Sequence, residues 1–502
     1  MSNYKRNLLI LQPIIFISAI FFTFFFYQFG DLLIFTEARD YIKYGGWSEH
    51  FPFSDYLFPS GKNTRYVSMF SFNLMKNSCG YNNVCINTYQ LLVMSLAGVF
   101  LYIHSYQLFK NIIIASIISL MWFFSLSALD AISWQAVNHD KMAALFIFLT
   151  LIISTFVLEQ KNGHYVVFLS NVLITFLLIL TYNSKESSFF LMPLILLQYV
   201  LYSTNIKDFL KNLVKIIIPL IFSLYFIIGY FVKLADYWKE HTLSNDNVIN
   251  TIKFYANVLF NHHSSSVSWM IVLGVVVFIP LVLIPLNYFM KKGSEKENRS
   301  LNRNLIYSYL FFILSILIAM KAMYPSTYYM LIPLAGLLMT IMSSINIIIS
   351  RFKFFEEKFK PRNHLSDKIY LKSLFIVTLC GLMVFHIYNY SIFFNADSKY
   401  TRLLQHSNNM SQTFRTVANE IELSKDKTYH FVFPPNEHHF YLLRGGAEGI
   451  DNTLINFIYQ VDGDYLVNYI KYNDVKEINE LVRENNAYYI MIDSQYNLLK
   501  IF

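Results

Sequence analysis

The sequence predicts an all-α polytopic membrane protein with about 11 transmembrane helices and a small C-terminal extracytoplasmic α/β domain. Of its 502 residues, 55% are hydrophobic and only 14% are charged. Apolar runs of roughly 20 residues recur along the chain, and each is long enough to cross a hydrocarbon core of about 30 Å as a helix. A large soluble helical protein would not carry so many uninterrupted runs, so we set that alternative aside.

Residues 1–393 form the predicted transmembrane core. Its apolar segments cover approximately 8–29, 87–108, 112–130, 141–158, 165–182, 187–203, 213–232, 267–290, 305–323, 328–350 and 371–393. The first segment is too long for the apolar core of a signal peptide and lacks a small-residue cleavage motif, so we expect a retained helix. A large first outer loop is expected over 31–86.

Lysine and arginine are unevenly divided between the two sets of loops. The loops on one side carry 19 Lys and Arg against 7 Asp and Glu, whereas those on the other side, before the C-terminal region, carry 11 of each. The positive-inside rule then places the N-terminus in the cytoplasm and everything after Phe393 outside. This asymmetry accounts for the net charge of +8 without any binding to nucleic acid.

The C-terminal region, 394–502, is richer in charge and lacks long apolar runs. "SQTFRTVANEIELS" predicts a helix, since Phe414, Val417 and Ile421 recur at helical spacing. "TYHFVF" and "AYYIMID" predict buried strands, with "NDVKEINELVREN" as a helix between them. These elements indicate a small α/β domain.

Two of the three cysteines lie close together on the predicted outer side. Cys79 and Cys85 are near enough in sequence to form a disulfide in an oxidising compartment, and two unpaired thiols are the alternative. Cys380 falls within an apolar segment and is expected to be a packing residue.

The stretch "FTEARDYIKYGGW", which begins at Phe35, places Glu37 and Asp40 directly after the first apolar segment. Apolar residues recur in it at helical spacing, so it can lie at the membrane interface as an amphipathic helix. The two carboxylates are three residues apart and would share one face. A partly desolvated carboxylate there could act as a general base. An interfacial helix with ordinary solvated charges is the simpler explanation from the residues alone.

Other ionisable and aromatic residues also fall at the outer ends of the predicted helices. Arg65 lies in the first outer loop, and "TYNSKESSFF" contains Lys185 and Glu186. The remaining residues come from "SALDAISWQAVNHDKMAALF" and "KAMYPSTYYMLIP": Asp130, Trp134, His139, Asp140, Lys141, Lys321, Tyr324 and Tyr328. Anchoring at a helix end explains each residue singly. Because all of these residues are predicted on the same side of the membrane, together they indicate a functional site.

The order of these motifs resembles the GT-C superfamily of membrane glycosyltransferases, over about residues 8–350. "TEARDYIKYGGW" is similar to the family's acidic motif after the first helix, with Glu37 retained and Thr36 in place of the leading acid. "GKNTRYVSMFSFNLMKNSCGYNNVCINTYQLLVMSLAG" resembles the Arg-containing entry to the second helix. "SWQAVNHDKMAALF" resembles the segment before the fourth helix, and "SKESSFFLMPL" resembles the Ser-Lys-Glu…Pro start of the sixth. "STYYMLIPLAGL" resembles an Arg-Tyr…Pro segment, with Thr327 where Arg is common.

The resemblance implies a GT-C-like hexosyltransferase of the bacterial inner membrane. Such an enzyme moves a sugar, glucose or another hexose, from an undecaprenyl-phosphate-linked donor on the periplasmic face. The acceptor is a surface glycan, such as the O-antigen of lipopolysaccharide, or a lipid. The size and plan are similar to those of bacterial O-antigen-modifying, serotype-converting glucosyltransferases. A companion donor synthase and flippase are expected partners, and no cofactor or metal is expected.

The resemblance also implies roles for residues of this chain, in a single inverting displacement. Glu37 is the expected base with Asp40 second, and Glu186 is expected to pair with Lys185. The expected ligands of the donor phosphate are cations: Arg65, Lys141, Lys185 and Lys321. Support or substrate contacts are expected from Trp134, His139, Asp140, Glu186, Tyr324 and Tyr328, although the aromatic side chains could instead be interfacial anchors.

Two other classes of protein stay open. An O-antigen or polysaccharide polymerase also has many helices, but we would expect its largest outer loop in the middle of the chain. A non-enzymatic flippase or transporter of lipid-linked sugars should carry ionisable residues at mid-membrane depth. In this sequence they cluster at outer helix ends instead, which favours the glycosyltransferase.

Overall fold

The computed structural model describes residues 65–80, 82–133, 137–160, 163–240, 278–286, 295–319, 327–359, 399–433, 459, 466–471, 486–494 and 497–502. The first and last predicted spans lie outside these residues, as does most of the first outer loop. The same is true of five candidate site residues: Glu37, Asp40, Trp134, Lys321 and Tyr324.

Helices make up most of the described chain. They are α1 Tyr66–Cys79, α2 Asn83–Phe109, α3 Ile112–Phe123, α4 Leu126–Ser133, α5 Asn138–Glu159, α6 His164–Tyr182, α7 Leu191–Tyr202, α8 Ile206–Leu213, α9 Ile217–Glu240, α10 Glu295–Ala319, α11 Leu331–Phe359 and α12 Lys399–Glu420. Three 3₁₀ turns lie at Glu186–Ser188, Val214–Ile216 and Thr327–Met330. A further helical stretch covers 278–286.

Within the described chain, 6 helical segments are long and apolar enough to cross a membrane. They are Val84–Phe109, Asn138–Glu159, His164–Tyr182, Ile206–Val232, Arg299–Ile318 and Tyr328–Ile348, and each overlaps a span expected from the sequence. The expected span at 112–130 is instead a pair, α3 and α4, bent by 54°. The one at 187–203 is shorter, because it begins with a 3₁₀ turn.

The bend between α3 and α4 has a local cause. Ser125 Oγ donates to the carbonyl of Trp122 and accepts from the backbone N–H of Ala128 at 3.2 Å. The serine therefore takes part both in ending α3 and in capping the start of α4. Gly336 of α11 approaches α10 closely, since a Cβ there would lie 2.6 Å from the backbone nitrogen of Phe312.

The helix termini define two ends of the bundle. At one end, Lys110 Nζ lies 3.1 Å from Glu159 Oε1, which joins the end of α2 to the end of α5. The start of α10 reaches the same end, where Asn304 Nδ2 donates to the carbonyl of Leu108 at 2.9 Å. The starts of α5 and α11 therefore lie at the opposite end. These helix ends are therefore grouped as they were when the loops were divided into two sides for the charge comparison.

A disulfide joins Cys79 at the end of α1 to Cys85 in the first turn of α2, which decides between the two alternatives left by the sequence. Asn82 lies between them and caps α2, since its Oδ1 accepts from the backbone N–H of Cys85 at 3.0 Å. The bond holds α1 against the bundle on the side where the sequence places an oxidising compartment.

The C-terminal region contains a four-stranded sheet of β1 Thr428–Phe433, β2 Leu466–Lys471, β3 Ala487–Ile492 and β4 Leu498–Ile501, in the order β2-β1-β3-β4. β1 is parallel to β2 and β3, whereas β4 is antiparallel to β3. The strands expected at "TYHFVF" and "AYYIMID" are confirmed, as are buried Phe414, Val417 and Ile421 at the end of α12 and just after it. The helix expected at "NDVKEINELVREN" lies outside the described residues.

Candidate functional site

Four segments of the chain bring ionisable and aromatic side chains together at one end of the bundle. They are the residue before α1, the first turn of α5, the residues before α7 and the 3₁₀ turn Thr327–Met330. We call the side chains that meet there the charged cluster: Arg65, His139, Asp140, Lys185, Glu186, Tyr328 and Tyr329.

The connection between α6 and α7 places Lys185 and Glu186. Lys185 has an extended backbone, with φ −162° and ψ 143°, and precedes the 3₁₀ turn that begins with Glu186. Ser188 Oγ donates to the carbonyls of Lys185 at 2.6 Å and of Thr181 at 3.1 Å, which fixes this turn against the end of α6. The two neighbouring charged side chains therefore start from different backbone conformations.

The first turn of α5 is held by buried amides. Asn138 Nδ2 donates to the carbonyl of Ser68 in α1 at 3.2 Å, and Gln90 Nε2 of α2 donates to Asn138 Oδ1 at 3.4 Å. This places Asp140 in the first turn of α5, where the unpaired backbone N–H groups of the helix favour a negative charge. This amide network was not expected from the sequence.

Asp140 and Lys185 form a buried ion pair. Lys185 Nζ lies 2.6 Å from Asp140 Oδ1 and 2.6 Å from Oδ2, and the two side chains are only 3% and 4% exposed. Burial lowers the pKa of Lys185 from its ordinary value, and the charge of Asp140 opposes that shift. A buried charge costs several kcal/mol unless it is paired, so each residue needs the other.

Arg65 and Glu186 form a second, more accessible ion pair. Arg65 Nε donates to Glu186 Oε2 at 3.2 Å and Nη2 donates to Oε1 at 2.7 Å, the two-bonded geometry that suits guanidinium and carboxylate. Their side chains are 38% and 29% exposed. Burial would raise the pKa of Glu186, but the charge and hydrogen bonds of Arg65 outweigh it and bring the pKa to about 2.

Aromatic rings and a histidine complete the charged cluster. Lys185 Nζ lies 4.2 Å from the ring centroid of Tyr329 and 5.6 Å from that of Tyr328, within the range of cation–π attraction. His139 Nε2 lies 3.5 Å from Asp140 Oδ2, and its side chain is 18% exposed. The more exposed side chains of the charged cluster are therefore Arg65, Glu186 and His139. The ion pair of Asp140 and Lys185 is nearly inaccessible.

Six residues singled out from the sequence meet in the charged cluster: Arg65, His139, Asp140, Lys185, Glu186 and Tyr328. Lys141 is fully buried, and the carboxylates whose charges act on it are Asp140 and Asp130. The expected pairing of Lys185 with Glu186 is wrong, because Lys185 bonds Asp140 and Glu186 bonds Arg65. Tyr329 was missed, although its position beside Tyr328 offered a signal.

The chemistry of the charged cluster follows from its charge balance. Each of the two cations Arg65 and Lys185 is already compensated by a carboxylate, and the cluster carries no excess charge while His139 is neutral. Within the described residues, no group of three or more His, Cys, Asp and Glu could hold a metal ion. The arrangement can bind an anionic group at its accessible guanidinium without a metal-type ligand set.

No protein-family model matches this chain, and no curated protein matches it significantly. The fold and the charged cluster define a polytopic helical protein whose helices suit a membrane and whose ionisable residues meet at one end of the bundle. The likeness to the glycosyltransferase superfamily depends on the sequence motifs.

Proposed function

We propose that this chain is a GT-C-type glycosyltransferase that moves a hexose from an undecaprenyl-phosphate-linked donor to a surface glycan or lipid. Eleven spans in a GT-C-like core and a periplasmic α/β domain complete the proposed architecture. The proposed location is the bacterial inner membrane, with the N-terminus in the cytoplasm. The charge asymmetry of the loops supports this orientation.

One observation carries the proposal. Ionisable side chains from α5, from the residue before α1 and from the residues before α7 meet at the same end of the bundle. The sequence places that end on the extracytoplasmic side, where a lipid-linked donor presents its phosphate. Ionisable residues that are buried and paired inside a bundle of membrane-spanning helices favour a functional site over simple anchoring.

Arg65 is the residue best placed to contact the donor phosphate. A guanidinium has five N–H donors, and Glu186 takes two of them. Within the described residues, the other three have no hydrogen-bond partner, and the side chain is 38% exposed. Glu186 fixes the plane of the guanidinium, so these donors keep one direction. Lys185 directs two of its three N–H donors to the oxygens of Asp140 and is nearly inaccessible, so it acts by holding α5 against the turn before α7.

The proposed reaction is a single displacement at the anomeric carbon of the sugar. Glu37, or Asp40 in second place, removes the proton from the acceptor hydroxyl as that oxygen forms the new glycosidic bond. The bond from the anomeric carbon to the phosphate oxygen breaks, and its electron pair leaves with undecaprenyl phosphate. Arg65 stabilises the charge that develops on the leaving phosphate.

The experiment is a transfer assay with the purified protein in liposomes that contain an undecaprenyl-phosphate hexose. Mass spectrometry of surface glycans and lipids, from cells with and without the protein, first identifies the acceptor by one extra hexose. We expect Glu37→Gln to abolish transfer while expression and insertion persist, and Arg65→Ala to reduce it strongly. Lys110→Gln, at the opposite end of the bundle, is the matched control and should retain transfer.

Each competing class of protein predicts a different product. A polymerase would lengthen the glycan by whole repeat units, and a flippase would move the lipid-linked sugar across the liposome membrane without breaking its phosphate bond. Either result would overturn the proposal. Full transfer by the Glu37→Gln variant would remove the assignment of the base while leaving the class of enzyme intact.

A further inference from the structure

The short helix α8 presents an unusual surface for a segment beside membrane-spanning helices. None of its residues is fully buried. Ile206 is 68% exposed and Leu210 is 54% exposed, and Lys207 and Lys211 are exposed beside them. An eight-residue helix with apolar and cationic side chains side by side on its exposed surface is typical of a segment that lies at a membrane interface.

Capping shows that α8 is a properly formed helix. Asn205 Oδ1 accepts from the backbone N–H of Asp208 at 2.9 Å, and Asp208 Oδ2 accepts from the backbone N–H of Thr204 at 2.9 Å. One unpaired N–H donor of the helix and one of the preceding loop are therefore satisfied locally. Phe209 and Leu213 pack against the core of the bundle, which leaves Ile206 and Leu210 on the outer side.

The length of the helical segment places α8 at headgroup depth. Ile206–Val232 contains 27 residues, which corresponds to about 40 Å at the rise of an α-helix. A hydrocarbon core of about 30 Å needs only about 20 residues, and the apolar stretch 213–232 supplies them. The residues of α8 therefore extend beyond the hydrocarbon on the side where α5 ends.

Lys215 fixes this depth independently. Its Nζ donates to the carbonyl of Gln160 at 2.7 Å and to that of Val157 at 3.1 Å, so it caps the C-terminal end of α5. Lys215 is buried, and the two lysines of α8 lie one and two turns further out on the exposed surface. The exposed apolar surface continues from α8 along α9 through Val214, Ile217, Ile218 and Ile221. One continuous exposed apolar side of both helices is therefore suited to contact with lipid.

We propose that α8 is an interfacial helix that binds anionic phospholipid headgroups through Lys207 and Lys211. Ile206 and Leu210 lie in the same headgroup layer, beside the acyl-chain region. The two lysines lie four residues apart on one face, and cationic residues close to a membrane surface favour anionic over zwitterionic lipid. The proposal does not depend on the enzyme activity proposed above.

The test measures lipids retained by the purified full chain. The protein is equilibrated in nanodiscs with equal amounts of phosphatidylglycerol and phosphatidylcholine, and bound lipids are counted by native mass spectrometry. We expect the wild type to prefer phosphatidylglycerol by about fivefold or more, and the double variant K207Q/K211Q to approach parity. Lys110→Gln is the control, because it removes a lysine at the same end of the bundle that already pairs with Glu159.

Two results would overturn the proposal. One is an absence of preference in the wild type, which would leave α8 as a surface for some other occupant such as a protein. The other is an unchanged preference in K207Q/K211Q, which would place the anionic lipid elsewhere on the chain.

Discussion

Replacing Lys185 with methionine tests the ion pair at the centre of the charged cluster. Lys185 and Asp140 are 3% and 4% exposed, and each oxygen of the carboxylate lies 2.6 Å from the ammonium nitrogen. Methionine keeps most of the side-chain length but leaves Asp140 buried without a cation. We expect the free energy of unfolding to fall by about 3–5 kcal/mol. The double variant K185M/D140L buries no charge at either position and should recover to within about 1 kcal/mol of the wild type.

Denaturant-induced unfolding in detergent micelles, followed by tryptophan fluorescence, provides the free energies for this double-mutant cycle. The matched control is Lys110→Gln, which breaks the ion pair with Glu159 at the other end of the bundle. Those side chains are 61% and 46% exposed, so the loss should stay below about 1 kcal/mol. A loss below about 1 kcal/mol for K185M would refute the reasoning, as would a double variant no more stable than either single one.

Three further predictions concern stability. Gly336→Ala should lower the melting temperature, because the added methyl group meets the backbone of α10, whereas Gly163→Ala, with no atom within 4 Å of the new Cβ, should not. Replacing both Cys79 and Cys85 with serine should lower the free energy of unfolding by about 2 kcal/mol, as expected for a short disulfide loop. The wild type should lose the same amount under reducing conditions. Glu186 has a pKa of about 2 in the folded protein against an ordinary 4.5, so its contribution is full above about pH 4.5 and is lost as the pH falls toward 2. The melting temperature of Glu186→Gln should therefore approach that of the wild type between pH 4.5 and 2, and a constant difference would contradict this.

The sequence predicts the six long apolar helices of the described chain because a membrane imposes a length and an apolar composition on each span. It also predicts which side chains share an end, since alternate helix ends must lie on the same side. The sequence does not predict which side chains of the charged cluster form ion pairs with each other. Lys185 and Glu186 are neighbours in sequence, yet an extended residue followed by a 3₁₀ turn sends their side chains to different helices. Those contacts depend on how the helices pack, and no local sequence pattern indicates that packing.

The bend at Ser125 and the strands β2 and β4 escaped prediction for related reasons. A serine within an apolar run is compatible with an unbroken span, and only its bonds to Trp122 and Ala128 show that it ends one helix and starts another. Strand β2 takes its place beside β1 through a long parallel connection, and β4 is an edge strand with two of its four residues exposed. Neither strand has the continuous apolar character that identified β1 and β3 in the sequence.

The charge balance of the cluster leads to a last prediction about how Arg65 would act in the proposed reaction. The lipid-linked donor is a phosphodiester with one negative charge, and the departing undecaprenyl phosphate gains a second. Because Arg65 and Lys185 are already compensated by Glu186 and Asp140, the cluster offers the bound donor little net charge. The N–H donors of Arg65 that Glu186 does not take become most favourable only as the second charge develops, which is stabilisation of the transition state more than of the donor complex. Arg65→Ala should therefore lower kcat by about 100-fold or more while KM for the donor changes by less than about tenfold. Steady-state transfer kinetics separate the two parameters, and a raised KM at unchanged kcat would show that Arg65 only binds the donor.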